Sequence, residues 1–312
     1  MKYIFYPLKM SIKDNFHLSL VLQNIFATHT CECYYNEAKH DTKTQRSKST
    51  MNNPSQKYTE ELDFITKVIK EAYQKLANTK IDNLTDKAKF DLVTVLDYEI
   101  EKYISAKISE KYPNDRIHGE EGSSNTEIIG RTWTIDPIDG TYNMANKSPL
   151  FGVQCSMFDK GEPVVAAIYL PFADEMYSAA LDFGAYLNGN PISVAKPDLS
   201  HSVVSFGDFP HSRPSETKTE LKILAHLSDK IARIRMFGAA SIDYAYVASG
   251  KTHGVVIYTK NKWDIAPGIL LCKEAGAVTR SLDTSDGTYN FDSPSVITTS
   301  TDEIYECIKE SI

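Results

Sequence analysis

Apolar side chains recur at helical spacing in two segments of the first half of the chain. The first segment runs from Leu62 to Leu76, and the second places an apolar residue at every fourth position from Leu96 to Ile108. A stripe with this spacing gives a helix one face that can be buried against a core. The pattern therefore predicts two amphipathic helices.

After Pro113 the pattern changes to short runs typical of β-strands, separated by turn signals such as Asn188-Gly189-Asn190. The runs are Arg131–Ile135, Phe151–Phe158, Val164–Leu170, Glu175–Ala179 and Ala185–Leu187. Consecutive short strands joined by tight turns indicate an antiparallel sheet. We expect helices to cover one side of this sheet.

From Val203 onward, strand-like and helix-like segments alternate, as they do in α/β folds. The predicted elements are a strand at 203, a helix at 216–228, a strand at 231–236, a helix at 239–248, a strand at 254–258, a helix at 264–275, a strand at 295–299 and a helix at 301–310. The change of pattern predicts approximate halves, 57–198 and 199–312. An interface between two such halves is a common place for an active site.

Residues 1–50 are a different kind of sequence, with seven Lys or Arg against four Asp or Glu. The apolar stretch at 16–30 is too short and too interrupted to span a bilayer, and no small-residue cleavage site of a secretion signal follows it. Cys31, Cys33 and His40 match no standard zinc spacing. We expect 1–50 to be an unstructured or mis-assigned leader and 51–312 to form the folded domain.

The composition is that of an ordinary globular protein, with 42% hydrophobic and 24% charged residues. The net charge of −7 argues against nucleic acid or an anionic membrane as a partner, because both favour clustered Lys and Arg. An acidic protein that handles an anion needs a cation between the two. The five cysteines are scattered, and Cys155 and Cys272 lie inside apolar runs, which indicates buried thiols in a reducing cytoplasm.

The densest group of polar residues is the run Trp133-Thr134-Ile135-Asp136-Pro137-Ile138-Asp139-Gly140-Thr141. Pro137 keeps Asp136 extended at the end of a strand. We expect the turn to direct Asp136 and Asp139 toward one place. Gly140 lets the backbone approach a ligand closely, and the amide groups at the start of the following short helix can bind a phosphate oxygen.

Two further acidic elements lie elsewhere in the chain. Glu120 is part of Gly119-Glu120-Glu121-Gly122, and Asp264 begins a predicted helix in the second half. Gathered together with Asp136 and Asp139, these carboxylates would repel one another unless divalent cations neutralised them. Ligands that are all oxygen atoms select Mg²⁺, Mn²⁺ or Ca²⁺ over zinc.

These motifs resemble those of the inositol monophosphatase family of metal-dependent, lithium-sensitive phosphatases, from about residue 57 to 312. Four ordered motifs carry the resemblance: Asp91-Leu92-Val93-Thr94-Val95-Leu96-Asp97 with Glu101, Gly119-Glu120-Glu121, the run from Asp136 to Thr141, and Trp263-Asp264-Ile265-Ala266 continuing to Glu274-Ala275-Gly276-Ala277. The resemblance implies a mixed α+β or α/β fold, a layered α-β-α-β-α sandwich of the sugar phosphatase type.

The resemblance also implies roles for individual residues. The metal ligands would be Glu120, Asp136, the Ile138 carbonyl, Asp139 and Asp264, and they would hold two or three Mg²⁺ ions, or Mn²⁺ in their place. The catalytic residues would be Asp97, Thr141 and Glu120, with Asp97 and Thr141 holding the attacking water. The substrate and phosphate contacts would come from Asp139, Gly140, Thr141, Gly238, Ala240 and Asp264.

The activity implied is hydrolysis of small phosphorylated sugars and polyols by direct attack of a metal-activated water, without a covalent intermediate. We expect a cytoplasmic homodimer whose partner is a small-molecule phosphate ester. Fructose 1,6-bisphosphate, NADP, histidinol phosphate and 3′-phosphorylated adenine nucleotides remain alternative substrates. The non-enzymatic alternative is a retired phosphatase that only binds a phosphorylated ligand, although none of the expected carboxylates is missing.

Two residues depart from the family pattern. Pro267 stands where a small residue is usual, and we expect it to be harmless in the first turn of its helix. Ile257 occupies the position of a glutamate that contacts a substrate hydroxyl in the inositol-specific members. Because Ile257 cannot accept a hydrogen bond, we expect weak selectivity for inositol monophosphate, unless neighbours such as Tyr258 or Arg235 compensate.

Overall fold

The computed structural model describes residues 57–77, 84–88, 91–122, 127–210 and 213–312. Within those ranges the chain folds into α-helices, two large β-sheets and a short β-hairpin. The expectations for residues 1–50, including those for Cys31, Cys33 and His40, lie outside the described residues.

The two amphipathic helices predicted from the sequence are the longest helices of the described ranges. The helices are α1 (Thr59–Leu76), α2 (Val95–Lys111), α3 (Thr141–Ala145), α4 (Pro214–Leu227), α5 (Ala240–Ala248), α6 (Lys262–Glu274) and α7 (Asp302–Lys309). Ile65 on α1 and Ile100 on α2 are fully buried, in agreement with their predicted faces. None of these helices is both long enough and apolar enough to cross a membrane.

Three groups of β-strands accompany the helices. The strands are β1 (Leu84–Ala88), β2 (Asp91–Thr94), β3 (Arg116–Gly119), β4 (Thr132–Asp139), β5 (Gly152–Asp159), β6 (Glu162–Leu170), β7 (Glu175–Ala180), β8 (Gly184–Leu187), β9 (Asn190–Ile192), β10 (Val203–Phe206), β11 (Arg233–Met236), β12 (Gly254–Tyr258), β13 (Val278–Arg280) and β14 (Ser295–Thr299). β1 and β2 form the hairpin, β3 to β9 form a seven-stranded sheet, and β10 to β14 form a five-stranded sheet.

The seven-stranded sheet follows the chain order and is antiparallel from β4 to β9, as predicted. Its first strand, β3, is instead parallel to β4. The five-stranded sheet has the order β11-β10-β12-β14-β13. Its strand β10 is parallel to both neighbours, because α4 and α5 provide the long connections that parallel strands require.

Three apolar cores hold five layers together, and the middle core fills both sides of the central helical layer. Helices α1 and α2 pack on one face of the seven-stranded sheet. Helices α5 and α6 lie between the two sheets, and α4 and α7 cover the outer face of the five-stranded sheet. The order is α-β-α-β-α, which confirms the predicted layered fold.

The expectation that helices cover only one side of the antiparallel sheet is wrong. On β6, Val165 and Ala167 face the core formed with α1 and α2, whereas Ala166 and Ile168 face the core formed with α5 and α6. Successive side chains of a strand point to opposite faces, so a run that is apolar at every position is buried on both. The run Val164–Leu170 is of this kind and indicates a second helical layer.

The cysteines of the described residues behave as small hydrophobic side chains. Cys155, Cys272 and Cys307 are buried and free of disulfides. Burial raises the pKa of the Cys155 and Cys272 thiols well above their usual range. The thiols are therefore uncharged, which agrees with the structural role predicted for Cys155 and Cys272.

Candidate active site

A cavity of about 280 Å³ is lined by residues from both large sheets, where the ends of β4, β10 and β12 meet the first turns of α5 and α6. Most of the predicted site residues belong to this lining: Glu120, Asp136, Ile138, Asp139, Gly140, Thr141, Gly238, Ala240 and Asp264. The rest of the described lining is Tyr142, Gly207, Asp208, Ala239, Ile257, Tyr258 and Thr259. Asp97 is not part of the lining and contacts Thr141 from behind.

A bulge in β4 places Asp136 and Asp139 on the same side of the strand. On the neighbouring β5, Asp136 pairs with Gln154 and Asp139 pairs with Gly152, so β4 has one extra residue between the two pairs. In a regular strand, residues three positions apart point to opposite faces. The extra residue shifts this alternation, and both carboxylates line the cavity as a result.

The chain turns sharply from β4 into α3 at Gly140. Gly140 has a φ of 89°, a left-handed conformation that favours glycine. A Cβ atom at this position would lie 3.0 Å from the Ala239 Cβ and 3.0 Å from the Leu150 carbonyl oxygen. Asn143 then fixes the turn by donating hydrogen bonds to the carbonyl oxygens of Leu150 at 2.7 Å and Phe237 at 2.8 Å. The turn thus presents its backbone to the cavity.

Thr141 connects the cavity to a buried carboxylate on α2. The Thr141 hydroxyl lies 3.1 Å from Asp97 Oδ1 and 2.9 Å from the Ile138 carbonyl oxygen. A hydroxyl has a single proton, so the Thr141 oxygen retains lone pairs that can accept a hydrogen bond from another group. Asp97 is only 1% exposed. Its influence on the cavity therefore passes through Thr141.

Asp139 is held by the start of α5. Its Oδ2 accepts a hydrogen bond of 2.5 Å from the Ser241 amide. Burial raises the pKa of Asp139 to about 6, although the hydrogen bonds from Ser241 oppose this rise. The helix start therefore orients the carboxylate and partly stabilises its charge.

Asp136 is buried among other carboxylates. Burial raises the pKa of Asp136 well above its usual range, and the negative charges of Glu120, Asp139 and Asp264 raise it further. Gln154 Nε2 donates a hydrogen bond to Asp136 Oδ2 at 3.2 Å, whereas Asp136 Oδ1 has no hydrogen-bond donor among the described residues. A buried carboxylate oxygen in this situation requires either a proton or a cation.

Glu120 is positioned by a second buried carboxylate of α2. Glu101 accepts hydrogen bonds from the amides of Glu121 at 2.7 Å and Gly122 at 2.8 Å. Gly119 packs directly on this carboxylate, and any Cβ atom at position 119 would overlap it. Glu101 thereby fixes the segment after β3 that brings Glu120 to the cavity.

Asp264 enters the cavity from the first turn of α6. The Thr259 hydroxyl donates a hydrogen bond to Asp264 Oδ2 at 3.1 Å. Gln154 Nε2, which also contacts Asp136, donates to the Asp264 carbonyl oxygen at 3.2 Å. Gln154 therefore links the aspartate of the first sheet to the aspartate of α6.

Pro267 lies in the second turn of α6, so the expectation that it lies in the first turn is wrong. The helix begins at Lys262, after Asn261 in the extended conformation typical of an N-cap. The predicted start at Asp264 overlooked this signal. Because proline has no N–H group, the carbonyl of Trp263 cannot receive its usual helical hydrogen bond from residue 267.

The lining offers oxygen ligands of the kind that Mg²⁺ prefers. As the side chains stand, no group of three or more Asp, Glu, His or Cys residues in the described ranges is arranged to hold a metal ion. Two observations nevertheless fit a cation. Four of the predicted carboxylates line one cavity, and Asp136 Oδ1 is buried without a donor among the described residues. A cation would draw the carboxylates together and offset the repulsion that raises the pKa of Asp136.

Two of the polar lining residues that sequence reasoning missed stand just after strand ends. Asp208 follows the end of β10, and Thr259 follows the end of β12. These strands are parallel neighbours, and ligands of α/β sheets bind outside the carboxyl ends of such strands. That rule, applied to the predicted strands at 203 and 254–258, would have found both residues.

Comparison with known proteins gives a consistent set of relatives. Residues 52–312 match the model described as the inositol monophosphatase family. The chain is 34% identical to a fructose-1,6-bisphosphatase/inositol-1-monophosphatase of Aquifex aeolicus over 212 residues, which cover 68% of this chain and 79% of the relative. It is 35% identical to an inositol monophosphatase of Dictyostelium discoideum over 228 residues, which cover 70% and 82%. Among solved structures, the Thermotoga maritima IMPase has a TM-score of 0.73 and 30% identity, covering 81% of this chain and 98% of that one.

Proposed function

Because this chain belongs to the inositol monophosphatase family and has relatives that are named inositol monophosphatases, we propose that it is a Mg²⁺-dependent phosphatase of small phosphorylated sugars and polyols. The proposal rests on one observation above all. Glu120, Asp136, Asp139 and Asp264 line the same cavity as the Gly140 turn. Carboxylates suited to cations and a turn suited to phosphate are the two parts that the reaction needs.

The carboxylates would bind the cations. The proposed ligands are Glu120, Asp136, the Ile138 carbonyl, Asp139 and Asp264, for two or three Mg²⁺ ions or for Mn²⁺ in their place. Mg²⁺, when bound, stabilises charge on phosphate oxygens and lowers the pKa of water. The chain contributes to this chemistry by holding Asp139 against the start of α5 and Asp264 against Thr259, so that few side-chain orientations remain open to either carboxylate.

Thr141 and Asp97 would orient the attacking water and receive its proton. A water that donates to the Thr141 oxygen can pass its proton to that oxygen, while the Thr141 proton moves to Asp97 Oδ1, 3.1 Å away. The amides of Gly140 and Thr141 would hold the phosphate from one side. The backbone of Gly238 and Ala240 would contact the substrate from the other side.

We further propose that residues 51–312 act as the catalytic domain, in the approximate halves 57–198 and 199–312. The buried free cysteines support a cytoplasmic location, because a reducing compartment keeps such thiols unpaired. The homodimer implied by the resemblance belongs to the same proposal. Light scattering on the purified protein would measure its mass directly.

A phosphate-release assay tests the proposed function. We expect turnover of at least one ester from a panel of inositol 1-phosphate, fructose 1,6-bisphosphate, NADP, histidinol phosphate and adenosine 3′,5′-bisphosphate in the presence of Mg²⁺. Excess chelator should abolish turnover, added Mg²⁺ should restore it, and lithium should inhibit it. Turnover that persists in excess chelator would contradict the metal dependence, and ester binding without any phosphate release would favour the retired ligand binder.

Glu101→Gln is expected to raise the Mg²⁺ concentration for half-maximal turnover about tenfold while the protein remains folded. The Glu101 carboxylate accepts one hydrogen bond from each of two amides, those of Glu121 and Gly122. A glutamine has only one acceptor oxygen, so its NH₂ group would face one amide donor, and a hydrogen bond to a charged group would be lost. The segment that carries Glu120 would then be less firmly held.

The matched control for this variant is Glu99→Gln on the same helix. The Glu99 side chain is 45% exposed and makes only a long contact of 3.9 Å to Lys102. Its replacement should leave the Mg²⁺ dependence unchanged. Titration of turnover with Mg²⁺ measures both variants, and equal midpoints for the two would show that Glu101 does not position Glu120.

A further inference from the structure

Asp208 is a cavity residue that the proposed chemistry does not use. Five carboxylates line the cavity, and four of them are the proposed cation ligands. The fifth is Asp208, and it is exposed. No Lys, Arg or His belongs to the described lining. With cations on the four proposed ligands, Asp208 is the negative side chain of the described lining that remains for the rest of a substrate.

The backbone places Asp208 at the edge of the cavity that is formed by the ends of β10 and β12. The Gly207 amide donates to the Val256 carbonyl oxygen at 2.9 Å, which extends the pairing of β10 with β12 by one residue. A Cβ atom at Gly207 would lie 3.3 Å from Ile257 Cγ1. Asp208 is thus the next residue after Gly207, whose backbone packs against Ile257. We call this edge the outer wall, formed by Gly207, Asp208, Ile257, Tyr258 and Thr259.

The other side chains of the outer wall are poor hydrogen-bond acceptors for a substrate. Ile257 has no polar group. The Thr259 hydroxyl donates to Asp264 and accepts a hydrogen bond from the Asn261 amide at 3.1 Å. Tyr258 is 7% exposed, and its side chain belongs to the core beneath α4 and α7. Asp208 is the charged acceptor that the outer wall can offer to an alcohol.

Arg213, which contacts the outer wall from behind, is paired with an acidic side chain. The Arg213 guanidinium donates to the Tyr258 carbonyl oxygen at 2.8 Å and forms an ion pair with Glu216 at 2.8 Å. Glu220 is buried, and the charge of Asp208 adds to burial in raising the pKa of Glu220 to about 8. The positive charge of Arg213 is therefore already matched by Glu216.

We propose that Asp208 determines which alcohol the enzyme accepts, favouring hydrogen-bond donors and rejecting a second phosphate. The inference rests on the proposed function and specifies its substrate class. A hydroxyl or an ammonium group on the alcohol would donate a hydrogen bond to the Asp208 carboxylate. Asp208 would thus supply the acceptor that the Ile257 side chain cannot provide. A second phosphate would meet like charge in a cavity with no basic side chain among its described lining.

The test compares Asp208→Asn with the wild type on three esters. Inositol 1-phosphate offers hydroxyl donors, histidinol phosphate offers an ammonium donor, and fructose 1,6-bisphosphate carries a second phosphate. The measured quantity is kcat/KM for the bisphosphate divided by kcat/KM for the better of the two donor esters. In Asp208→Asn this ratio should rise about tenfold, because the donor ester loses its hydrogen bond to a charged carboxylate and the second phosphate of the bisphosphate is no longer repelled by that charge. A larger loss with histidinol phosphate than with inositol 1-phosphate identifies the ammonium group as the donor.

Two variants serve as controls for this comparison. Asp208→Glu keeps the charge and should keep the ratio within about threefold of the wild type. Asp229→Asn removes one exposed carboxylate outside the cavity lining and should also leave the ratio unchanged. A rise of less than threefold in Asp208→Asn, or an equal rise in Asp229→Asn, would overturn the inference.

Binding measurements separate this inference from the proposed function. Calorimetry in the presence of Mg²⁺ gives Kd values for the same esters, and the Kd for the bisphosphate divided by the Kd for the better donor ester should fall in Asp208→Asn. If the wild type binds esters without releasing phosphate, the proposed function fails and the Kd ratio alone decides the role of Asp208. If the wild type binds none of the esters, both are overturned.

Discussion

Asp136→Asn is expected to lower turnover at saturating Mg²⁺ by about a thousandfold or more, because a group that acts on the transition state through a metal contributes several kcal/mol to lowering the barrier. The same variant should be more stable than the wild type without metal. Burial and the neighbouring carboxylates raise the pKa of Asp136, so its ionisation opposes folding at neutral pH. Asparagine removes that charge and retains an oxygen for the Gln154 hydrogen bond.

The pH dependence of stability follows from the same shift. The unfolded chain ionises Asp136 at about pH 4, and the folded chain does so at a higher pH. Between these values the unfolded state binds fewer protons, so the metal-free wild type loses stability as the pH rises. The Tm difference between Asp136→Asn and wild type, measured in chelator, should therefore widen upward from about pH 4.

Asp115→Asn provides a control, because it should lower stability and spare turnover, whereas Asp136→Asn should raise stability and greatly lower turnover. Asp115 accepts hydrogen bonds from Arg131 Nε at 2.9 Å and from Trp133 Nε1 at 2.9 Å, at a distance from the cavity lining. Loss of the Asp115 carboxylate should lower Tm and leave turnover near the wild-type value below that temperature.

Asp264→Asn, in contrast, should resemble Asp136→Asn in turnover. More than about a tenth of wild-type turnover in both cavity variants would refute the ligand assignment.

Gly268→Ala is expected to lower the free energy of unfolding by about 3 kcal/mol or more. Gly268 lies on α6 where this helix contacts α5, and a Cβ atom at position 268 would lie 2.5 Å from Tyr244 Cβ and closer still to the Tyr244 ring. The Tyr244 side chain is fully buried and cannot turn aside. The two helices would have to separate by more than about 1 Å to restore ordinary contact distances.

Gly254→Ala is the matched control for this change. A Cβ atom at Gly254, on β12, would lie 3.4 Å from the nearest side-chain atoms of Ile304 and Thr299, which is ordinary contact. Its effect on unfolding should stay within about 1 kcal/mol. Urea denaturation compares the two variants, with soluble yield as the readout if Gly268→Ala does not fold. Equal denaturation midpoints would show that α5 and α6 tolerate a wider spacing.

The sequence predicts the elements of this fold better than their contacts. Helical spacing on α1 and α2, turn signals between β5 and β9, and the alternation after Val203 each depend on residues close together in the chain. The strand character of β6 predicts the sheet, but only its unbroken apolar run indicates that helices cover the second face as well. The close approach of Gly268 to Tyr244 has no local signal at all.

In the candidate site, too, the sequence predicts features set by nearby residues but not contacts between residues far apart in the chain. The motifs identified four of the five carboxylates in the described lining, because their spacing and the flanking proline and glycine are visible in the sequence. The bulge that places Asp136 and Asp139 on one side depends on pairing with β5, and the support of Asp139 depends on the Ser241 amide, about a hundred residues away. Such long-range contacts appear only when the chain is folded. The ligand roles themselves stay predictions.

The position of the outer wall has an evolutionary consequence. Its residues Asp208 and Ile257 stand at the ends of β10 and β12, whereas the bulge of β4 and the start of α6 carry Asp136, Asp139 and Asp264. A substitution of Asp208 or Ile257 therefore removes no hydrogen bond that holds these carboxylates, whereas a substitution of Thr259 would remove one from Asp264. Relatives of this chain carry names that include both fructose bisphosphate and inositol phosphate activities. Under the role proposed for Asp208, selection could change the preferred alcohol at one or two positions while the residues proposed to handle the phosphate are inherited unaltered.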